Sequence, residues 1–262
     1  MTIGRFFRTP KGLTLIVLAT LTAVAGLGQG FAVIAPGIAG AVVPAMVIDA
    51  VILRRIKQKW FFPSGALLTG LIVAMILSPR EPWYVAAVTS AAGVISKYLV
   101  RVRTANVFNP AALALVATFY VFNTAQSWWG ALPEISPLAI IVLFAVGVFI
   151  IYKVNKIPVV LAFLGGYYLL VNIAAFVANP AHVAALYRAP DLHAALYFGF
   201  FMVTDPPTSP PKHRDQLVFG GIVAAASFAV FELVGAAYFL LAGLLVANAW
   251  EGWRRAQRGA RR

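Results

Sequence analysis

The chain contains no cysteine and only 3 histidines among 262 residues. Without thiolates it cannot by itself ligate an iron–sulfur cluster, close a disulfide or attach a c-type haem. Charge is also scarce: 11% of residues are Asp, Glu, Lys or Arg, and only 8 are acidic. Soluble domains carry about 25% charged residues, so a water-soluble fold would have too few polar side chains to cover its surface. Long polar stretches are missing too, which leaves no room for a separate soluble domain within these residues. No zinc-ligand spacing, phosphate loop or nucleophile elbow occurs. No predicted span carries a histidine in its interior, which argues against bis-histidine haem inside a helical bundle.

What is present is hydrophobic: 61% of the residues, in runs long enough to cross a bilayer that recur from end to end. Lipid is the expected solvent. Spans are predicted at 12–30, 33–53, 64–78, 83–100, 107–123, 136–152, 157–178, 193–204, 217–233 and 236–252. Met1 to Lys11 is basic and precedes the first apolar run. It reads as the flank of a span, because no small-residue cleavage site follows a short apolar core. The third and eighth spans are shorter than the others and end at proline, at Pro79 and at the Pro206–Pro207 pair.

The net charge of +13 does not point to nucleic acid, because the basic residues sit in short clusters between apolar runs. With the N-terminus in the cytoplasm, the inner loops and their flanks hold Arg5, Arg8 and Lys11; Arg54, Arg55, Lys57 and Lys59; Lys97, Arg101 and Arg103; Lys153 and Lys156; Lys212 and Arg214; and Arg254, Arg255, Arg258, Arg261 and Arg262. Only Arg80 and Arg188 of the 21 basic residues fall outside. This asymmetry predicts ten spans in the inner (cytoplasmic) membrane with both termini cytoplasmic. The expected fold class is all-α: a polytopic membrane protein, residues 1–262 forming one membrane domain. Five spans is an odd number, so a second set of five runs opposite to the first. Two inverted repeats, at about 1–130 and 131–262, then place the broken third and eighth spans at matching positions, which points to a site near the bilayer midplane.

Three motifs carry the candidate site. Ser64-Gly65-Ala66-Leu67-Leu68-Thr69-Gly70 puts two glycines and two hydroxyls at a membrane entry; ordinary small-residue packing is the plainer account. In Asn106-Val107-Phe108-Asn109-Pro110-Ala111, Asn109 is a natural N-cap before a first-turn proline. Asn106 is left without a capping duty, so the two amides either bind a polar ring edge or serve as a cap plus a loop amide. Met202-Val203-Thr204-Asp205-Pro206-Pro207-Thr208-Ser209-Pro210 ends a short span with an acid, hydroxyls and prolines. Such irregular backbone survives in a membrane only where protein or a cavity shields it. The candidate residues lining a functional cavity are therefore Ser64, Thr69, Asn106, Asn109, Thr204 and Asp205. Among the remaining polar residues, Asp49 is expected to pair with Arg54, and Glu232 to lie near the outer end of the ninth span. His182, His193 and His213 are expected in contact with water. Trp60, Trp83, Trp128, Trp129, Trp250 and Trp253 sit near span ends, as an aromatic belt would.

Together, in order, spacing and topology, these motifs resemble the RnfD/NqrB family, the membrane flavoproteins of the Rnf complex and of the sodium-pumping NADH:quinone reductase. The resemblance extends to shorter proteins of enediyne antibiotic gene clusters (the UnbU-like proteins). It implies ten spans, a flavin, and work inside a multi-subunit electron-transfer complex that moves sodium or protons. It also implies that Asn106 and Asn109 sit at a non-covalent riboflavin site and that Asp205 lies in a second re-entrant motif. The family attaches FMN to a threonine of a Ser-Gly-Ala-Thr-like motif in the outer loop after the fifth span. Here the loop Asn123 to Ser136 offers only Thr124, without that motif. The expected cofactor is thus riboflavin or FMN, held non-covalently, with no haem or iron–sulfur centre on this chain. The expected partners are membrane lipid and other membrane or redox subunits. The alternative is a transporter or channel-like protein that has lost the redox role.

Overall fold

Apolar runs bounded by proline, glycine or a capping side chain become helices. In the computed structural model, which describes residues 6–102, 105–135, 138–177, 180–188 and 191–260, ten helices of eleven or more residues stand at the ten expected places. They are α1 Pro10–Gln29, α2 Phe31–Lys57, α3 Ser64–Ile76, α4 Trp83–Leu99, α5 Pro110–Phe122, α6 Ala139–Lys153, α7 Ile157–Val177, α8 Asp191–Phe201, α9 His213–Val234 and α10 Phe239–Ala260. Arg5, Arg103, Arg261 and Arg262 of the basic clusters and Ser136 of the loop lie outside the described residues, as does the side chain of His182.

The chain is an all-α polytopic membrane protein. Helices α1, α2, α7 and α9 are long and apolar enough to cross a bilayer. Val43, Val47 and Val51 stand exposed at every fourth position of α2, and Leu161, Leu169 and Ile173 form a similar exposed row on α7. A helix of a soluble bundle would turn charge outward there. An apolar outer face needs lipid around it.

Local chemistry sets the helix limits. α1 starts at Thr9, whose hydroxyl accepts the Gly12 N–H at 3.2 Å, with Pro10 in the first turn. α3 and α8 are short, 13 and 11 residues. α5 has only 13 as well, against the longer span expected from 107. The reason is that Asn106 pairs with Arg101 in a two-residue antiparallel ladder. The backbone therefore stays extended until Asn109, whose Oδ1 accepts the Ala112 N–H at 3.1 Å and starts the helix.

Each half packs in the same sequence of pairs: α2 on α4 and α4 on α5, then α7 on α9 and α9 on α10. The halves meet where α1 touches α6 and α5 runs along α10. Close backbone approach holds the first half together. A Cβ on Gly70 of α3 would stand 2.9 Å from the Ala41 carbonyl oxygen of α2, and one on Gly93 of α4 would stand 2.9 Å from that of Pro110.

The segment after α5 departs from the expected surface loop. It folds back into the bundle: Ser127 and Trp128 donate their backbone N–H groups to the Ile76 carbonyl at 3.0 and 3.2 Å. α3 stops short, and its terminal carbonyls need donors. Trp128 and Trp129 accordingly leave the aromatic belt. Both are buried, and Trp129 Nε1 donates to the Ala74 carbonyl at 2.7 Å. Trp60, Trp83 and Trp253 remain exposed, as a belt requires.

Candidate functional site

At the end of the bundle that carries Pro10 and the C-terminal arginines, the short helices leave a cavity of about 210 Å³. Its wall draws on both halves of the chain. Lys11 and Thr14 come from α1, Gly65, Leu68, Thr69 and Ile72 from α3, and Lys97 from α4. Asn106, Asn109, Pro110 and Ala111 come from the start of α5, Ile150 and Val154 from the end of α6, and Phe200, Phe201, Thr204, Asp205, Pro206 and Pro207 from α8 and the turn after it. Five of the six candidate residues therefore share one cavity. Ser64 does not line it; its neighbour Gly65 does.

The polar groups of the wall are held in place by their own backbone. Thr69 Oγ1 donates to the Gly65 carbonyl at 3.0 Å and Thr204 Oγ1 to that of Phe200 at 2.6 Å. Both hydroxyl protons are thus committed within a helical turn, and both side chains are buried. Asp205 Oδ2 accepts the Thr208 hydroxyl at 2.9 Å, while the Asp205 carbonyl accepts both the N–H (3.0 Å) and the hydroxyl (2.8 Å) of Ser209. Burial pushes the Asp205 carboxyl above the ordinary carboxylate range, against the pull of Thr208 and of the neighbouring cations.

The proline-rich turn at 205–210 is held by three side chains from two other places, the α6–α7 turn and α10. Lys156 Nζ donates to the Pro210 carbonyl at 2.7 Å. Burial lowers the Lys156 ammonium to about 8 despite Asp205 nearby. Arg255 donates to the carbonyls of Pro207 and of Ser209, the latter at 3.2 Å, and is itself fixed by Glu251 at 2.9 Å. Asn248 reaches the turn from α10, its Nδ2 donating to the Thr208 carbonyl at 3.4 Å. Its Oδ1 accepts the Asn109 N–H at 2.8 Å. One buried amide thus ties the asparagine motif of the first half to the aspartate motif of the second.

Two expectations are corrected here. Asp49 pairs with Lys97 at 2.5 Å and accepts a hydrogen bond from Tyr98, and is not paired with Arg54. Five residues along a helix turn through about 500°, so Arg54 faces well away from Asp49. His193 is buried, 4% exposed, with Nδ1 at 2.8 Å from the Ala131 carbonyl. The folded-back loop covers the start of α8 and excludes water from it. His213 is exposed as expected and meets Asn155 Oδ1 at 3.1 Å. Glu232 lies near the C-terminal end of α9. Among the described residues, no group of three or more His, Cys, Asp or Glu side chains is placed to hold a metal ion.

Lys11, Thr14, Lys97 and Asn248 join the site from outside the three motifs. In the sequence Lys97 reads only as a topology-setting charge. Asn248 carries a usable signal, since it is a lone amide among Leu244, Val246, Ala247 and Ala249, and a polar group inside an apolar span needs a partner.

Ten helices, six of which contribute to a cavity of mixed polar and apolar lining, define a polytopic membrane protein with a candidate ligand site between its halves. Residues 8–139, which take in α1 to α5 and the folded-back loop, match the NQR2, RnfD, RnfE family, and the chain belongs to that family. The motifs at 64–70 and 106–111 lie within the match; the one at 202–209 lies beyond it. Similar proteins include the D subunits of the ion-translocating oxidoreductase complexes of Salmonella newport (strain SL254), Salmonella agona (strain SL483) and Salmonella enteritidis PT4 (strain P125109). Each is 30% identical over 132 residues, covering 47% of this chain and 36% of the relative. The chain spans about a third of the length of the curated relatives it matches.

Proposed function

We propose that the chain is a membrane subunit, not catalytic on its own, of an ion-translocating oxidoreductase complex, and that it holds a flavin non-covalently in the cavity while electrons pass between partner redox subunits. The observation that carries this reading is the meeting of Thr69, Asn106, Asn109, Thr204 and Asp205 around one cavity. The lining suits a flavin ring: Leu68, Ile72, Phe200 and Phe201 offer apolar walls, and the Asn106 and Asn109 amides offer donors and acceptors to a polar edge. A bound flavin supplies one- and two-electron chemistry. The chain's own contribution is to orient the ring and to shield it from water. With no cysteine here, any iron–sulfur centre of such a complex belongs to a partner.

The same proposal places the chain in the inner membrane with both termini cytoplasmic and the cavity toward the cytoplasm. Its two halves are read as inverted repeats within one membrane domain. The matching order of packed pairs, and the contacts of α1 with α6 and of α5 with α10, support that reading.

One observation favours a transporter or channel-like role instead. The loop after α5 lacks the FMN acceptor motif, and its only threonine, Thr124, is 2% exposed. The absorbance spectrum of purified protein before and after acid precipitation separates the readings. A flavin spectrum that moves wholly to the supernatant is the expected result. A colourless protein that also fails to take up added riboflavin or FMN leaves the transport reading, and colour retained by the precipitate contradicts non-covalent binding.

A further inference from the structure

The turn between α2 and α3 carries more apolar surface than a turn facing only water would. α2 ends at Lys57 because Gln58 takes the left-handed region, φ 56°, while its N–H donates to the Arg54 carbonyl at 3.0 Å. The chain then runs without helix through 58–63 to Ser64, whose N–H donates to the Phe62 carbonyl at 2.8 Å. Pro63 is buried, but every residue from Arg55 to Phe62 is exposed. Three consecutive rings stand among them: Trp60 is 71% exposed, Phe62 is 61%, and Phe61 lies between them. The segment before α1 adds exposed Phe7, and Phe6 meets Phe62 edge-on with ring centroids 6.2 Å apart. Such rings suit the headgroup level of a bilayer.

The same turn gathers charge that the chain does not neutralise. Among the described residues, Arg54, Arg55, Lys57 and Lys59 form no ion pair. Asp49 is the only acid before Glu81, and it is buried and taken by Lys97. The Arg54 guanidinium lies 5.8 Å from the centre of the Trp60 ring, and Lys57 Nζ lies 4.7 Å from that of Phe61. These contacts keep the cations beside the rings. The α8–α9 turn differs: Lys212 and Arg214 are exposed there, but no Phe, Trp or Tyr occurs between 202 and 216. None of residues 54–62 lines the cavity, so this surface is separate from it.

We infer that the α2–α3 turn is a binding surface for an anionic phospholipid, with the lipid phosphate among Arg54, Arg55, Lys57 and Lys59 and the Trp60, Phe61 and Phe62 rings set into the apolar layer below it. Guanidinium and ammonium groups supply the charge-assisted hydrogen bonds that phosphate oxygens take, and a basic cluster beside the bilayer draws anionic lipid. The rings commit the surface to a lipid, since a soluble anion gains nothing from them. The inference is independent of what the cavity holds.

The test is lipid binding to the full chain in uncharged detergent, by native mass spectrometry and thermal shift, with phosphatidylglycerol and phosphatidylcholine of identical acyl chains. The wild-type chain is expected to bind phosphatidylglycerol about tenfold more tightly. Lys57→Gln/Lys59→Gln is expected to remove most of that preference. Lys212→Gln/Arg214→Gln removes as much charge from exposed positions of the other turn and is expected to keep it. Trp60→Ala, which leaves the charge unchanged, is expected to weaken phosphatidylglycerol binding. Equal affinity of the wild-type chain for the two lipids overturns the inference. So does an equal loss in the two double variants, which would reduce the effect to overall charge. Unchanged lipid binding in Lys57→Gln/Lys59→Gln, with loss of a co-purifying protein, would assign the surface to that protein and overturn the inference too.

Discussion

The Asn248 side chain accepts the backbone N–H of Asn109 and donates to the Thr208 carbonyl, joining the two halves of the chain at the wall of the cavity. Both asparagines are buried, so neither partner can turn to water when the amide is removed. Asn248→Ala is expected to cost about 1–3 kcal/mol of stability. It is also expected to weaken flavin binding per folded molecule, because the Asn109 and Asp205 motifs lose their common reference. Chemical unfolding and ligand titration on the same preparation check this. Full affinity in a destabilised variant would reduce Asn248 to a packing residue.

Asp49 and Lys97 form a largely buried ion pair, with side chains 2% and 16% exposed. Breaking such a pair strands a charge, whereas replacing both partners removes the problem. Asp49→Asn and Lys97→Met alone are each expected to destabilise by about 3–5 kcal/mol, and the double variant by clearly less than their sum. A double-mutant cycle measured by thermal unfolding decides; strict additivity would show that the two groups do not interact.

The ten-helix path can be checked without background labelling, since the chain has no cysteine of its own. Ala125 and Lys212 are exposed, at opposite ends of the bundle. Ala125→Cys should react with a membrane-impermeant maleimide from the periplasmic side, and Lys212→Cys only after the membrane is opened. Labelling of both from one side would overturn the proposed orientation.

Lys156 sets a pH dependence of known sign. Burial holds it at about 8 in the folded chain, below the ordinary lysine value of 10.5. Between these two values the unfolded chain binds more protons, so stability rises with pH. The gain is complete above pH 10.5 and is lost as pH falls through about 8. Lys156→Met should lack this rise. Melting temperatures of the two proteins that run parallel from about pH 7 to 10 would contradict it.

The sequence shows the helices far better than their ends or partners. Apolar length and the distribution of lysine and arginine place all ten helices, because lipid allows few alternatives to a continuous helix. The motifs also bring five of the candidate residues to one cavity, since proline and glycine mark where backbone leaves the helix. Three features escape a one-dimensional reading. Asp49 faces Lys97, 48 positions away, because α2 and α4 pack together. Trp129 and His193 look interfacial at span ends, yet the segment after α5 folds inward over both. α5 starts late because a two-residue ladder holds Asn106 in extended backbone, which no local preference of that residue foretells.

The contact between α5 and α10 is latched at both ends. At one end Asn109 meets Asn248; at the other the hydroxyls of Tyr120 and Tyr238 touch each other. Sliding one helix past the other by a single turn, about 5.4 Å, would open both latches at once. Pivoting about either latch opens only the other. Along this contact, a movement that keeps either latch closed is therefore a pivot about it and not a slide.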